Sequence, residues 1–375
     1  MKKKIAIIGA GIGGLTLANL LQDNSDFEFV VYEKDETLNL EEGFGIQLAV
    51  NSISVLNQIG FSSLNKSDFF NPEKLDFYSN DNKICDLDLT QFNNETEKYT
   101  TLKRSTLIKF LKDRLFSNLI RFNKTLETVE QNQNTIKINF NDGGSDKVDY
   151  LVISDGVFSQ TKSIIEKKSF KPNYHGAVAI RTQIKAEDVS EFKTKNISLF
   201  MSSKAHLVSY PVNDNGDINI VCILRKNLNE NKSIEQLLGK KFFNKNKNLS
   251  RFFNKDLKIW PIYTSTKPVK PSLKNVFYIG DAFHTFPPTL AQGASQSIES
   301  AKELYDLLID NKQNVENIYF EKRLKKTIMI NNRSRLNYFV FHFSNPFLKI
   351  FRNQFLKRLI KSKSFINRYL GKIYN

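Results

Sequence analysis

The 375-residue chain is predicted to be α/β, with a Rossmann-like, doubly wound nucleotide-binding domain interleaved with a separate β-sheet domain and closed by C-terminal helices. Three observations predict this. Gly9-x-Gly11-x-x-Gly14 stands between an apolar run and a helical pattern. Two later apolar runs end in Ser154-Asp155-Gly156 and Gly280-Asp281. The texture turns β-rich from about 174 to 264 and then returns to doubly wound character.

Ile5-Ala6-Ile7-Ile8 is short, continuous and apolar, which suits a strand buried on both faces of a parallel sheet. Leu15, Ala18, Leu20 and Leu21 recur at helical spacing, and Phe29-Val30-Val31-Tyr32 reads as a second strand ending at Glu33. That strand-turn-helix-strand unit of roughly 30 residues is the smallest piece of a doubly wound fold. A Gly43-x-Gly45 loop follows, then a helix over Asn51 to Ile59 with Ile53, Leu56 and Ile59 on one face. Ser105 is expected to cap a helix whose apolar face is Leu107, Leu111 and Leu115. Residues 125–154 alternate as strands, with Asn141-Asp142-Gly143-Gly144 as a hairpin turn and Tyr150 to Ile153 as an apolar strand. Ala177–Ile184, Ile197–Met201, Leu207–Val212 and Ile218–Leu224 read as strands of a second sheet, with Asn213 to Gly216 turning between the last two. Val276 to Ile279 is a further strand, and a helix starts near Gly293.

At 40% hydrophobic and 25% charged, the composition excludes fibrous and wholly disordered chains. Two cysteines, Cys85 and Cys222, leave no disulfide framework, redox pair or thiolate zinc site, and point to a reducing, cytoplasmic setting. Met1 to Leu21 resembles a signal peptide on the surface, but its four glycines, Asn19 and the lack of an A-x-A pattern argue against one. Elsewhere no stretch reaches the ~18 apolar residues of a spanning helix.

The net charge of +16 is localised. After Glu321 the chain holds fourteen Lys and Arg and no acidic residue, leaving 41 basic against 39 acidic side chains before it. A neutral body argues against a nucleic-acid binder. In the tail, Phe347, Ile350, Phe351, Phe355, Leu359 and Ile360 recur opposite Lys349, Arg352, Lys357 and Lys361. That pattern fits a basic amphipathic helix lying on the inner face of an anionic membrane. It equally fits helices packed on the body through the Phe stripe, with a solvated basic face.

In the first motif Gly9 permits the tight turn, Gly11 lets backbone approach a pyrophosphate, and Gly14 lets helix and strand pack closely. Ile12 and Gly13 open the helix whose amides would hold the anion. Glu33, followed by Lys34, is placed to accept hydrogen bonds from an adenosine ribose. This motif alone leaves FAD and NAD open. With the segments from Ser154 to Lys162 and from Gly280 to Ala294 added, in this order and spacing, the chain resembles the class A, single-component flavoprotein aromatic hydroxylases, the para-hydroxybenzoate and salicylate hydroxylase superfamily.

The resemblance spans essentially the whole chain and implies FAD as cofactor and NADH or NADPH as co-substrate. It places Gly45 and Gln47 on the flavin side, Arg104 near the FAD phosphate and ribityl region, and Asp155 in the second motif. Asp281 would bond a ribityl hydroxyl, Pro288 would form a wall beside the flavin, and the helix starting at Gly293 and Ala294 would aim its positive end at the flavin pyrimidine edge. The implied reaction hydroxylates a small aromatic or other electron-rich ring with O2 through a flavin C4a-hydroperoxide. Alternatives are a membrane-associated hydroxylase of a ubiquinone-type precursor, or an epoxidase or reductase on the same fold. His206 and Tyr210 are candidates for the substrate cavity, whereas His175, His284 and His342 read as structural. No metal-ligand cluster is present, and a monomer or homodimer is expected. The implied cofactor domain comprises 1–70, 100–165 and 265–320, the substrate domain 71–99 and 166–264, and the basic closing helices 321–375. Two departures stand out: Lys162 replaces the usual Arg, and Ser300 follows Glu299 where an acidic pair is common, a minor loss of local bonding.

Overall fold

The computed structural model describes residues 2–374 except 39, 41–43, 189–194, 228–232, 234–235, 237–256, 258, 266 and 311–312. A five-stranded parallel sheet forms the first layer, in the order β18 (Val276–Tyr278), β12 (Tyr150–Ile153), β1 (Lys3–Ile8), β2 (Phe27–Tyr32) and β8 (Ile120–Arg121). Its side chains alternate between two cores. Ile5, Ile7, Phe29, Val31 and Val152 pack with apolar residues of α1 (Ile12–Gln22), α2 (Val50–Gln58), α3 (Arg104–Asp113) and α5 (Gly293–Ile309). Ala6, Ile8, Val30, Tyr32 and Ile153 pack on an antiparallel sheet of β9 (Leu126–Asn132), β10 (Thr135–Phe140) and β11 (Ser145–Val148). Burial on both sides is why β1 reads as a continuous apolar run.

A seven-stranded sheet of β17 (Ile259–Thr264), β13 (Asn173–Ile184), β16 (Ile218–Arg225), β15 (Ala205–Pro211), β14 (Ile197–Met201), β5 (Lys74–Ser79) and β6 (Asn82–Asp88) lies beside the first layer. It is antiparallel except between β14 and β5. Between the two sheets runs a small one of β3 (Gly45–Leu48), β7 (Thr100–Lys103) and β4 (Phe69–Phe70). The segment α4 (Gln160–Ile165) follows the second motif.

Ser105 does not cap α3. The helix begins at Arg104, with extended Lys103 as an N-cap that lends no side chain, and the Arg104 amide donates to the Phe44 carbonyl at 2.9 Å. Because β7 runs straight into the helix, Ser105 already lies in its first turn. Gly43, expected in the loop before β3, lies outside the described residues.

The long α6 (Val315–Phe341), α7 (Pro346–Leu359) and a run of short helical turns from Lys363 to Tyr374 close the chain. The tail does pack on the body, through Ile360 of the predicted apolar stripe and through residues outside it, but not through the stripe's Phe side chains. Ile366, Ile373 and Tyr374 are buried with Tyr99, Leu199 and Tyr210, and Leu356 and Ile360 pack against them. Phe347, Phe351 and Phe355 point outward, while Arg352, expected on the solvated face, is 3% exposed. Its guanidinium donates to the Phe341 carbonyl at 3.2 Å and to Ser79 Oγ at 3.1 Å, acceptors that make an inward arginine tolerable. Arg323 is likewise buried, donating to Glu299 at 3.0 Å and Gln296 at 2.7 Å.

Candidate functional site

The carboxyl ends of β1, β12 and β18 stand side by side, with Ile8 opposite Ile153 and Ile153 opposite Tyr278. All three sequence motifs leave from these ends, where parallel sheets open their binding crevice. Gly9 has φ +101°, and a Cβ there would stand 2.7 Å from the Ser154 carbonyl oxygen. A Cβ on Gly14 would come within 2.1 Å of the Gly9 carbonyl oxygen and 2.5 Å of Ser154 Oγ. The glycine turn is therefore pressed against the second motif, and Ser154 Oγ donates to the Gly9 carbonyl at 2.7 Å.

Glu33 braces the same turn. Its Oε2 accepts from the Ala10 amide at 2.7 Å and its Oε1 from the Asp35 amide at 3.2 Å, while Lys34 is exposed. Each carboxylate oxygen keeps a second lone pair, so the expected ribose contact is compatible with this bracing. Helix α1 follows its N-cap Gly11 and α5 its N-cap Gln292, with no side-chain cap and no acidic residue in the first turn of either. Both helix starts thus offer unpaired backbone donors and positive potential.

In the second motif Asp155 Oδ2 accepts from the Thr161 amide at 3.3 Å, whereas its buried Oδ1 has no partner. Burial raises the Asp155 pKa. Lys162 is turned inward, 7% exposed, and its Nζ donates to the Ala282 carbonyl at 3.1 Å. That bond ties the second motif to the third. Asp281 is held at about 6 from an ordinary 3.8 by burial, opposed by the charge of Arg104, so the fold brings these two predicted residues together. Ser300 replaces bonding rather than losing it: its Oγ accepts from the Gly280 amide at 3.0 Å and fixes the turn before Asp281. Pro288 opens a short turn before α5, and Gly293 and Ala294 form the first turn of that helix.

On the seven-stranded sheet His206 and Tyr210 share a face but part company. His206 Nδ1 lies 3.2 Å from His342 Nε2, and His342 Nδ1 donates to the Tyr338 carbonyl at 2.7 Å. That carbonyl fixes the tautomers: His342 accepts at Nε2 and His206 donates. Burial lowers both pKa values, that of His342 to about 4, so the pair is neutral and buttresses α6. His284 is also buried, edge-on to Phe286 at 5.0 Å.

Tyr210 instead sits where the sheets meet. It pairs in register with Asn219, whose Oδ1 accepts from the Gly45 amide at 2.7 Å, and Gln47 accepts from the Tyr99 hydroxyl at 2.9 Å. Arg181 of β13 converges on the same place, its guanidinium 5.7 Å from the Phe44 ring centre, with Phe44 edge-on to Trp260 at 4.8 Å. Its Nε is buried without a partner, and burial lowers its pKa. Arg181 and Asn219 escaped sequence reading, since neither belongs to a motif. Among the described residues no group of three or more His, Cys, Asp or Glu could hold a metal ion, and no helix is long and apolar enough to cross a membrane.

A protein-family model described as "FAD binding domain" matches residues 2–313. The chain is 24% identical over 343 residues to 3-amino-4-hydroxybenzoate 2-monooxygenase of Streptomyces cremeus, covering 88% of this chain and 86% of the relative. It is 26% identical over 316 residues to 3-hydroxybenzoate 6-hydroxylase 1 of Aquipseudomonas alcaligenes, covering 80% and 79%. Among solved structures, Klebsiella pneumoniae HpxO complexed with FAD and uric acid superposes with a TM-score of 0.85 at 18% identity, over 99% of this chain and 96% of that one. A salicylate hydroxylase substrate complex gives 0.79 at 19% identity, over 100% and 97%.

Proposed function

Because the chain belongs to the FAD binding domain family, we propose that it is a single-component flavoprotein monooxygenase that uses NADH or NADPH and O2 to hydroxylate a small aromatic acid. The observation that carries this reading is the convergence of three motif-bearing strand ends on a sheet junction holding Tyr210 and a half-buried Arg181 whose Nε has no partner. The aromatic acids in the relatives' names support it. When bound, FAD would supply the carrier that passes two electrons from NAD(P)H to O2 and the activation of that O2. The residues present fit it: Gly9 and Gly14 hold the turn tight against the second motif, a Cβ on Gly11 would meet nothing nearer than 3.9 Å, so its backbone is open to a close approach, and the start of α1 offers donors for the pyrophosphate. In this assignment Glu33 takes the ribose, Arg104 and Asp281 the phosphate and ribityl stretch, and the start of α5 faces the flavin pyrimidine edge. Gly45, Gln47 and Pro288 border the flavin, while Tyr210 and Arg181 orient the substrate. We assign 1–70, 100–165 and 265–320 to the cofactor domain, 71–99 and 166–264 to the substrate domain, and 321–375 to the closing helices.

The reaction is tested by screening phenolic and heteroaromatic acids for substrate-stimulated NAD(P)H oxidation, with mass spectrometry for a product heavier by one oxygen atom. Failure of every aromatic acid to stimulate oxidation in FAD-loaded protein would sink the proposal. For Arg181→Gln, losing a charge-assisted bond of ~1.5–3 kcal/mol should raise KM for the carboxylate substrate roughly 10- to 100-fold, with kcat far less affected. A neutral phenol of the same size should show no such change. Equal losses for both compounds would remove Arg181 from the substrate contact.

Asp281→Asn should move stability and cofactor affinity in opposite directions. A carboxyl raised from 3.8 to about 6 favours folding fully below pH 4, and that contribution disappears as pH climbs through 6. Across that window the FAD-free parent should therefore lose up to about 3 kcal/mol relative to the Asn variant, at ~1.4 kcal/mol per pH unit, a difference from which the opposing contributions of buried His206 and His342 cancel. Thermal melts of the FAD-free proteins between pH 4 and 7, beside FAD titrations, read both effects. A variant as pH-dependent as the parent, with unchanged FAD affinity, would show that Asp281 does neither job.

A further inference from the structure

Helix α7 is packed inside out. Phe347, Ile350, Phe351 and Phe355 are 82%, 61%, 65% and 50% exposed, whereas Arg352 is turned into the body. At about 100° per residue Arg358 falls on the same outward arc as Phe347 and Phe351, and exposed Lys361 follows just past the helix end, so aromatic and basic side chains share this end of the tail. Leu336 and Phe339 of α6 are also 53% and 61% exposed. A monomer rarely keeps such a contiguous patch uncovered.

We propose that this face docks on an anionic phospholipid bilayer, with the Phe and Ile side chains in the interfacial layer and Lys357, Arg358 and Lys361 against lipid headgroups. Charge selects the occupant. Lys357, Arg358 and Lys361 are exposed and no acidic residue follows Glu321, so the complement of this face must be negative. A second copy fits poorly, because a twofold contact would set this basic surface against itself. Aromatic side chains on a convex helix offer a protein no groove, whereas a bilayer accepts them without shape complementarity. The docking is independent of the reaction proposed above.

The test is flotation of the full-length, FAD-loaded protein with phosphatidylcholine vesicles, with or without one quarter phosphatidylglycerol. Binding is expected to the anionic vesicles alone and to fall at least 10-fold between low and 0.5 M salt, as screening demands. Phe347→Ser/Phe351→Ser/Phe355→Ser and Lys357→Glu/Arg358→Glu/Lys361→Glu should each lower the bound fraction at least 10-fold while leaving the flavin content unchanged. Phe351→Ser alone keeps the test available if the triple variant is poorly soluble. No binding at low salt overturns the proposal, as does binding that ignores the Phe changes, which would be non-specific attraction by net charge. Self-association that depends on the Phe residues, or capture on polyglutamate without vesicle binding, would assign the face to another partner and equally overturn it.

Discussion

Gly14→Ala should leave the protein without flavin, whereas Gly13→Ala, one residue away in the same motif, should keep it. The added methyl at position 14 would sit 2.1 Å from the Gly9 carbonyl oxygen and 2.5 Å from Ser154 Oγ. The first contact is with backbone, so it is relieved only by moving the turn that would receive the pyrophosphate. At position 13 the nearest atoms are Ile279 Cδ1 and the Ser297 carbonyl oxygen, both at 3.5 Å, which is ordinary contact. A shift of even half an ångström at the helix start misaligns several anion-binding amides together, so FAD affinity should fall at least 100-fold, about 2.7 kcal/mol. Flavin absorbance per protein after denaturation, together with FAD titration of the stripped proteins, separates the two variants. Equal flavin content would mean that the turn can move freely, and its assignment as the pyrophosphate cradle would go with it.

What the sequence made legible is what depends on neighbours in the chain. A tight turn demands glycine wherever it occurs, so Gly9, Gly11 and Gly14 were readable, as were Asp155 and Asp281 at the ends of apolar strands. Arg181 and Asn219 were not, because their roles arise from register: Arg181 lies beside Val221 and Asn219 beside Tyr210, and no local pattern states which strands pair. His206 meets a partner 136 residues away. The tail makes the same point about faces. Its 3.6-residue periodicity announced two faces but not which one turns inward. That choice rests on the Phe341 carbonyl and Ser79 Oγ, remote acceptors that make Arg352 the inward residue.

Ending the chain at Lys361 should yield insoluble or flavin-free protein, although it spares α7 and every motif. The removed stretch contains Ile366, Ile373 and Tyr374, which are 4%, 0% and 8% exposed. Truncating one buried Ile costs ~2–5 kcal/mol, so losing all three together rivals the ~5–15 kcal/mol that holds a domain folded. Backbone carbonyls are removed as well, since Arg333 donates to those of Arg368 and Tyr369. The damage should reach the site along a definite route. Tyr374 packs edge-on to Phe92 at 4.9 Å and to Tyr99 at 6.4 Å, and the Tyr99 hydroxyl holds Gln47 beside Gly45. Tyr374→Ala should follow this route in milder form, lowering the melting temperature and the flavin content of a protein that still folds. Soluble yield, flavin-to-protein ratio and thermal melts measure both changes. A soluble, FAD-loaded protein ending at Lys361, melting within a few degrees of the parent, would show that these closing turns are an appendage and that the Tyr99–Gln47 contact stands without them.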